Sequence, residues 1–262
     1  MEKAIQLNNQ GVCLIERRLY CDAIRMCTKA LEQAKRTLRK EDKNEEKNDS
    51  GSLEQESENL NNQQDDNSSI REQSISKRLK RRRVISVLSL ILTCSSKHTE
   101  VENSEESVEA DNCYIYRTPI RIISSTQQMD DSSVTLLFNL ALALHLDAIE
   151  RKSKATLEWA LKLYEIGYKL QMRHCVRITF SQILGLVNNC GQIHRQLGRE
   201  RKANLFFGHL HSLLVMLAVD CGKVEQVEEL DGFILTSLHP ILCSKDPRYG
   251  MHAAHISTDN FL

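Results

Sequence analysis

VNNCGQIHRQLGRERKANLFFGHLHSL, Val187 to Leu213, is the stretch on which the fold turns. It repeats an arrangement found at the other end of the chain. There, apolar or small residues at Ala4, Leu7, Gly11, Leu14 and Ile15 step by three and four, the spacing of one buried helical face. Tyr20, Ala23, Ile24, Cys27, Ala30 and Leu31 repeat the spacing, and the charged Glu16-Arg17-Arg18 breaks the two runs. Small residues at facing positions let two antiparallel helices approach closely. Superimposing Gly191 on Gly11 also brings Asn188-Asn189 onto Asn8-Asn9, Gly198 onto the break and Ala203 onto Ala23, with Phe207 filling the next layer.

A more divergent copy reads LLFNLALALHL, Leu136 to Leu146, with Ala141 in the glycine's place and Asn139 aligned with Asn9 and Asn189. Its partner carries Trp159, Ala160, Tyr164 and Gly167 after a connection expected to be about seven residues longer than in the other copies. Beyond the third copy, Gly222 is expected to end a helix. Val224, Val227, Leu230, Ile234 and Leu238 then predict one more amphipathic helix, capping the stack before Pro240.

Composition divides the 262 residues into zones. Residues 1–38 form the first hairpin. Residues 39–83 form an acidic, then basic, low-complexity insertion expected to be disordered, because almost nothing in EDKNEEKNDSGSLEQESENLNNQQDDNSS offsets the entropy of ordering it. Residues 84–125 hold two apolar runs around an acidic loop, VISVLSLILT (Val84–Thr93) and CYIYRTPIRII (Cys113–Ile123). Both are rich in β-branched or aromatic residues and are expected as extended segments or one short β-hairpin, with Pro119 confining the second to an edge. Residues 132–243 form the main helical domain and 244–262 a loosely ordered tail. The prediction is an all-α chain of three hairpins plus a cap.

Charge and chemistry narrow the function. Lys plus Arg and Asp plus Glu both number 35, so no global field draws the chain to nucleic acid or an anionic membrane. The basic run KRLKRRR offers Lys77, Arg78, Lys80, Arg81, Arg82 and Arg83 as an import signal or a patch for an acidic partner; the plainer reading is a solvated flank. The Val84–Thr93 run is about half the length that spans a bilayer as a helix, so no span is expected. Nine cysteines without a C-x-x-C pair read as small buried thiols of a reducing compartment. His209, His211, His252 and His255 match no zinc spacing and read as surface histidines. No phosphate loop, dinucleotide fingerprint or nucleophile elbow is present, so no enzyme, metal or cofactor is expected.

The repeated NNxG opening resembles the Asn-rich tetratricopeptide repeats of the kinesin light chain type. The layout, with a YRxPIxI-like segment and FNLAL before NNxGxIHRxLG, is also similar to an expanded group of algal repeat proteins. The resemblance implies a helical-hairpin solenoid whose first helices line a concave groove. There Asn8, Asn9, Asn139, Asn188 and Asn189 would grip the backbone of a bound peptide, with His145 and Arg195 as side-chain selectors. The basic clamp of the family's chaperone-tail binders is not reproduced, since Gln192 and Gly185 occupy its places. A core does not favour asparagine at one place in three helices, because each needs up to four hydrogen-bond partners. Amides that bridge neighbouring helices are the alternative. The expected function is a non-enzymatic adaptor, intracellular, cytoplasmic or nuclear, that binds a protein or peptide. Two rivals stay open: a structural unit whose groove residues 113–123 fill, and a nuclear factor using the basic run.

Overall fold

Three turns of one kind set the architecture. In each, an N–H just past a helix returns to the carbonyl five residues back: Leu19 to Leu14 (2.9 Å), Ser153 to Ala148 (2.9 Å) and Arg199 to His194 (2.8 Å). The residue before that N–H is left-handed, at φ 59° for Arg18, 55° for Lys152 and 68° for Gly198. This Schellman geometry satisfies the last carbonyls of one helix and reverses the chain within three residues. It joins α1 (Glu2–Glu16) to α2 (Tyr20–Ser52), α3 (Met129–Arg151) to α4 (Lys154–His174), and α5 (Phe180–Gln196) to α6 (Glu200–Met216). A π-helical turn, Leu217–Cys221, extends α6, and α7 spans Leu230–Cys243. The computed structural model describes residues 1–52, 76, 78–79, 82, 84–86, 88–89, 114–123, 129–174, 179–221 and 229–243.

The pairs pack in series. Each helix lies against the next, α2 on α3 and α4 on α5, and α1 also touches α3, so the first pair stacks directly on the second across the long intervening stretch. Within the outer pairs the contact is set by glycine. A Cβ on Gly11 would meet the Cys27 Sγ at 2.6 Å, and one on Gly191 would meet the Phe207 ring at 2.4 Å, sixteen residues on in both pairs. The two copies therefore share a register as well as a motif. Leu31, Leu38, Leu137, Phe138 and Tyr164 are among the fully buried side chains of one continuous core.

Several expectations change. Lys152 stands thirteen residues after Asn139, whereas Arg18 and Gly198 stand nine after Asn9 and Asn189. The middle copy is thus longer because α3 gains a turn; its connection is as short as the others. No strand exists among the described residues. Val84, Ile85, Ser86, Leu88 and Ser89 are helical, with Val84 and Leu88 buried one turn apart in the cluster that includes Leu38. Tertiary burial overrides the β-propensity of that run. Helix α2 continues to Ser52, past the boundary expected at 38. Arg78 and Arg82 of the basic run both reach Asp42, at 3.5 and 3.2 Å, while Lys77, Lys80, Arg81 and Arg83 lie outside the described residues. Residues 53–75, Gly222, Val224, Val227 and the tail from 244 lie outside them as well.

The last helix also differs from a simple cap. Phe233 is its buried anchor, with Thr236 and Ser237, while Ile234 and Leu235 point outward. His209 is buried, with Nε2 2.9 Å from the Tyr168 hydroxyl, so it belongs to the packing and not to the surface. Among the described residues, two helical spans are long and apolar enough to cross a bilayer by length and composition. Ser132–Arg151 is almost wholly buried within the molecule, whereas Glu200–Val219 is buried over about a third of its most apolar stretch.

Candidate functional site

The asparagines of α1, α3 and α5 face one extended segment, residues 114–123. Each clamps both polar groups of a single residue's backbone. The Asn189 Oδ1 accepts from the Tyr116 N–H at 3.0 Å and its Nδ2 donates to the Tyr116 carbonyl at 3.0 Å. Asn139 holds Ile120 in the same way, at 2.9 and 2.7 Å. Asn9 holds Ile122, at 3.0 and 2.9 Å. A carboxamide has one acceptor beside one donor, so it matches the N–H and C=O that an extended residue presents to one side. All three clamped residues are even-numbered, as the two-residue period of an extended chain requires.

The first asparagine of each NN pair reinforces the second. Asn8 Nδ2 donates to Asn9 Oδ1 (3.2 Å) and to the carbonyl of Ile120 (3.3 Å), two residues before the clamped Ile122. Asn188 Nδ2 likewise donates to Asn189 Oδ1 (3.1 Å) and to the carbonyl of Tyr114 (3.2 Å), two residues before Tyr116. Phe138 takes this place in the middle copy and packs on Tyr116 and Tyr164, with centroids 6.1 and 5.8 Å away. The amides also tie helices together, since Asn139 Nδ2 donates to Asn8 Oδ1 at 2.9 Å. Backbone gripping and helix bridging, the two roles open for these residues, are carried out by the same side chains.

The segment visits α5, then α3, then α1, opposite to the order of the pairs in sequence. Four extended residues, roughly 13 Å, separate the clamps on Tyr116 and Ile120, and two, roughly 7 Å, separate those on Ile120 and Ile122, so the steps along the segment are unequal. Side chains then fill what the glycines leave open. A Cβ on Gly185 would meet the Tyr116 ring at 2.5 Å, and one on Gly232 would meet the Tyr114 ring at 2.2 Å. Phe233 of α7 lies 5.4 Å from both tyrosine rings, edge-on to Tyr114 and tilted on Tyr116. Glu229, at the start of α7 with φ 61°, accepts the Tyr114 hydroxyl at Oε2 (2.8 Å) and the Thr118 hydroxyl at Oε1 (2.6 Å). Burial, with the carboxylate second, pushes the Tyr114 phenol well above its ordinary pKa. At the other end, Arg121 pairs with Glu16 at 2.6 Å.

Two predicted selectors lie elsewhere. His145 is fully buried, Nε2 3.4 Å from Gln196 Oε1 and edge-on to Tyr164, and burial holds its pKa down at about 4. Arg195 is half-buried in the last turn of α5. The residues that receive the occupant's side chains, Gly185, Gly232, Phe233 and Glu229, were not singled out as binding residues in the sequence. Gly185 lacks the polar group that the resembled clamp would want, and an aromatic ring seated on it supplies the reason it has no side chain. Comparison with protein-family models, curated proteins and solved structures finds no match.

Proposed function

We propose that this chain is a non-enzymatic tetratricopeptide-like interaction module that reads peptide backbone with asparagine, and that residues 114–123 are its resident occupant. The observation that carries the reading is the repeated two-point clamp of Asn9, Asn139 and Asn189 on Ile122, Ile120 and Tyr116. These bonds recognise an extended main chain of any sequence. Selectivity comes from the aromatic seats at Gly185 and Gly232, the seat of the buried Ile122 and the acid that meets Arg121. A partner segment of like chemistry would enter by displacing the resident one, which makes the adaptor and the self-filled unit two states of one site.

Amide hydrogen exchange tests the occupancy. Ile120 and Ile122 are expected to be protected, and Asn139→Ala to speed exchange at Ile120 by about tenfold, the loss of roughly 1.4 kcal/mol, with the helical circular dichroism kept. Exchange of Ile120 in the wild type at the rate of a free peptide would remove the reading. A labelled YIYRTPIRII peptide should bind a variant whose own segment is disabled by Tyr116→Ser and Ile122→Ser, and bind the wild type more weakly. No binding to the disabled variant would show that the groove accepts only its tethered occupant.

A further inference from the structure

The grip on the segment has one gap. Clamps fall on Tyr116, Ile120 and Ile122, and the series skips Thr118, where Phe138 replaces the asparagine that the other two copies place beside their clamping residue. Pro119 follows and has no N–H to offer. Thr118 is held instead by its side chain, through the Glu229 carboxylate, which also holds Tyr114 and stands three residues before the Gly232–Phe233 seat. The segment's N-terminal half is thus held to α7 by the ring seats on Gly232 and Phe233 and by one acid that accepts two hydroxyl protons.

We propose that Thr118 is a phosphorylation site whose modification unseats residues 114–118 from Glu229 and α7, opening the groove; the opening rests on the occupancy reading above, the site on local chemistry. Thr118-Pro119 is the dipeptide that proline-directed serine/threonine kinases act on, and it already lies extended and half-exposed. In the step, the Thr118 hydroxyl oxygen attacks the γ-phosphorus of ATP. An O–P bond forms, the bond to the β–γ bridging oxygen breaks, ADP leaves with that electron pair, and the hydroxyl proton passes to the kinase's base. The ester has no proton to donate to Glu229 and sets nearly two negative charges beside its carboxylate, turning a charge-assisted hydrogen bond into a repulsion. Neither nearby arginine offsets this. Arg117 is the adjacent residue and projects to the other side of an extended chain, and Arg121 is paired with Glu16. Glu229 is also held in the left-handed region, so the loss of its two partners releases a strained residue.

The test incubates the full chain with a proline-directed serine/threonine kinase and ATP, maps phosphate by mass spectrometry and times cleavage by chymotrypsin after Tyr114, a bond four residues from the phosphate and held by Asn188 and the Gly232 seat. Phosphate on Thr118, none in Thr118→Ala, and cleavage at least about tenfold faster after modification are expected. Glu229→Gln should accept the phosphate and show a smaller acceleration, since the repelling charge is gone. Absence of phosphate on Thr118 overturns the site, and phosphate without faster cleavage overturns the switch. Equally rapid cleavage before modification would instead be a failure of the occupancy reading, with the phosphate result still standing for the site.

Discussion

The first and last hairpins carry the same four-residue opening, NNQG at 8–11 and NNCG at 188–191, and the same grip on an extended backbone, yet they hold it in different surroundings. Asn189 fills all four of its hydrogen-bonding positions: two with Tyr116, one with Asn188 and one with the Tyr164 hydroxyl at 3.0 Å. It is fully buried beneath an aromatic cluster. Asn9 makes the equivalent clamp at the edge of the stack, half-buried, with Ile123 almost wholly exposed beside its partner. A motif specifies the geometry of a contact; its burial sets how much the contact is worth.

Removing one amide from each end measures that difference. Asn189→Ala leaves the Tyr116 N–H and carbonyl buried without their partner and takes a donor from the Tyr164 hydroxyl, so a loss of about 3 kcal/mol in urea unfolding is expected. Asn9→Ala exposes its groups to water and should cost about 1 kcal/mol. Equal losses would mean that burial does not separate the two sites.

Acid should single out the middle hairpin, whose His145 stands in register with Ile15 and Arg195 of the outer pairs. Its folded pKa is lowered to about 4, first by burial and slightly by the Arg117 charge, against the hydrogen bond to Gln196. The unfolded histidine takes a proton near pH 6.5, and the folded one refuses it until about pH 4. Stability should therefore be unaffected by this group above pH 6.5 and fall by up to about 3 kcal/mol as pH drops to 4. His145→Leu should flatten that part of the pH–stability curve. An unchanged curve would place the acid sensitivity on other groups.

The smallest effect lies in the turns. Gly198 adopts its left-handed φ freely, whereas Arg18 and Lys152 hold the same conformation with a Cβ. Arg18→Gly and Lys152→Gly should each stabilise the chain by about 0.5 kcal/mol, the left-handed penalty less the added entropy of the unfolded glycine. A rise of one or two degrees in thermal midpoint would register it; a fall would mean that the arginine or lysine side chain stabilises its turn by more than the strain.

Much of this was readable in the chain because it is local. Periodicity of three and four marked the helix pairs, and the shared offsets of Asn, Gly and turn predicted two copies in one register. The middle copy is longer by a helical turn where spacing predicts a longer loop, since the two look alike in a sequence. Residues 84–89 depart from their local pattern because burial competes with it. Valine and isoleucine favour strands only weakly, and a place beside Leu38 in the core outweighs that preference. Phe233 displaced Ile234 as the anchor of α7 because two tyrosines from the 114–123 segment meet it.

The sequence alone determined that these residues form paired helices with asparagine at matched positions, because helix formation, turn geometry and close approach depend on side chains a few residues apart. Only the tertiary structure decided what those asparagines hold. The backbone groups they clamp lie up to 113 residues away, as for Asn9 and Ile122. A carboxamide fits any extended backbone, so no local pattern names its occupant. Residues 114–123 take the place because their extended chain turns alternate residues to the amides, and because the glycines at 185 and 232 leave room for two tyrosine rings.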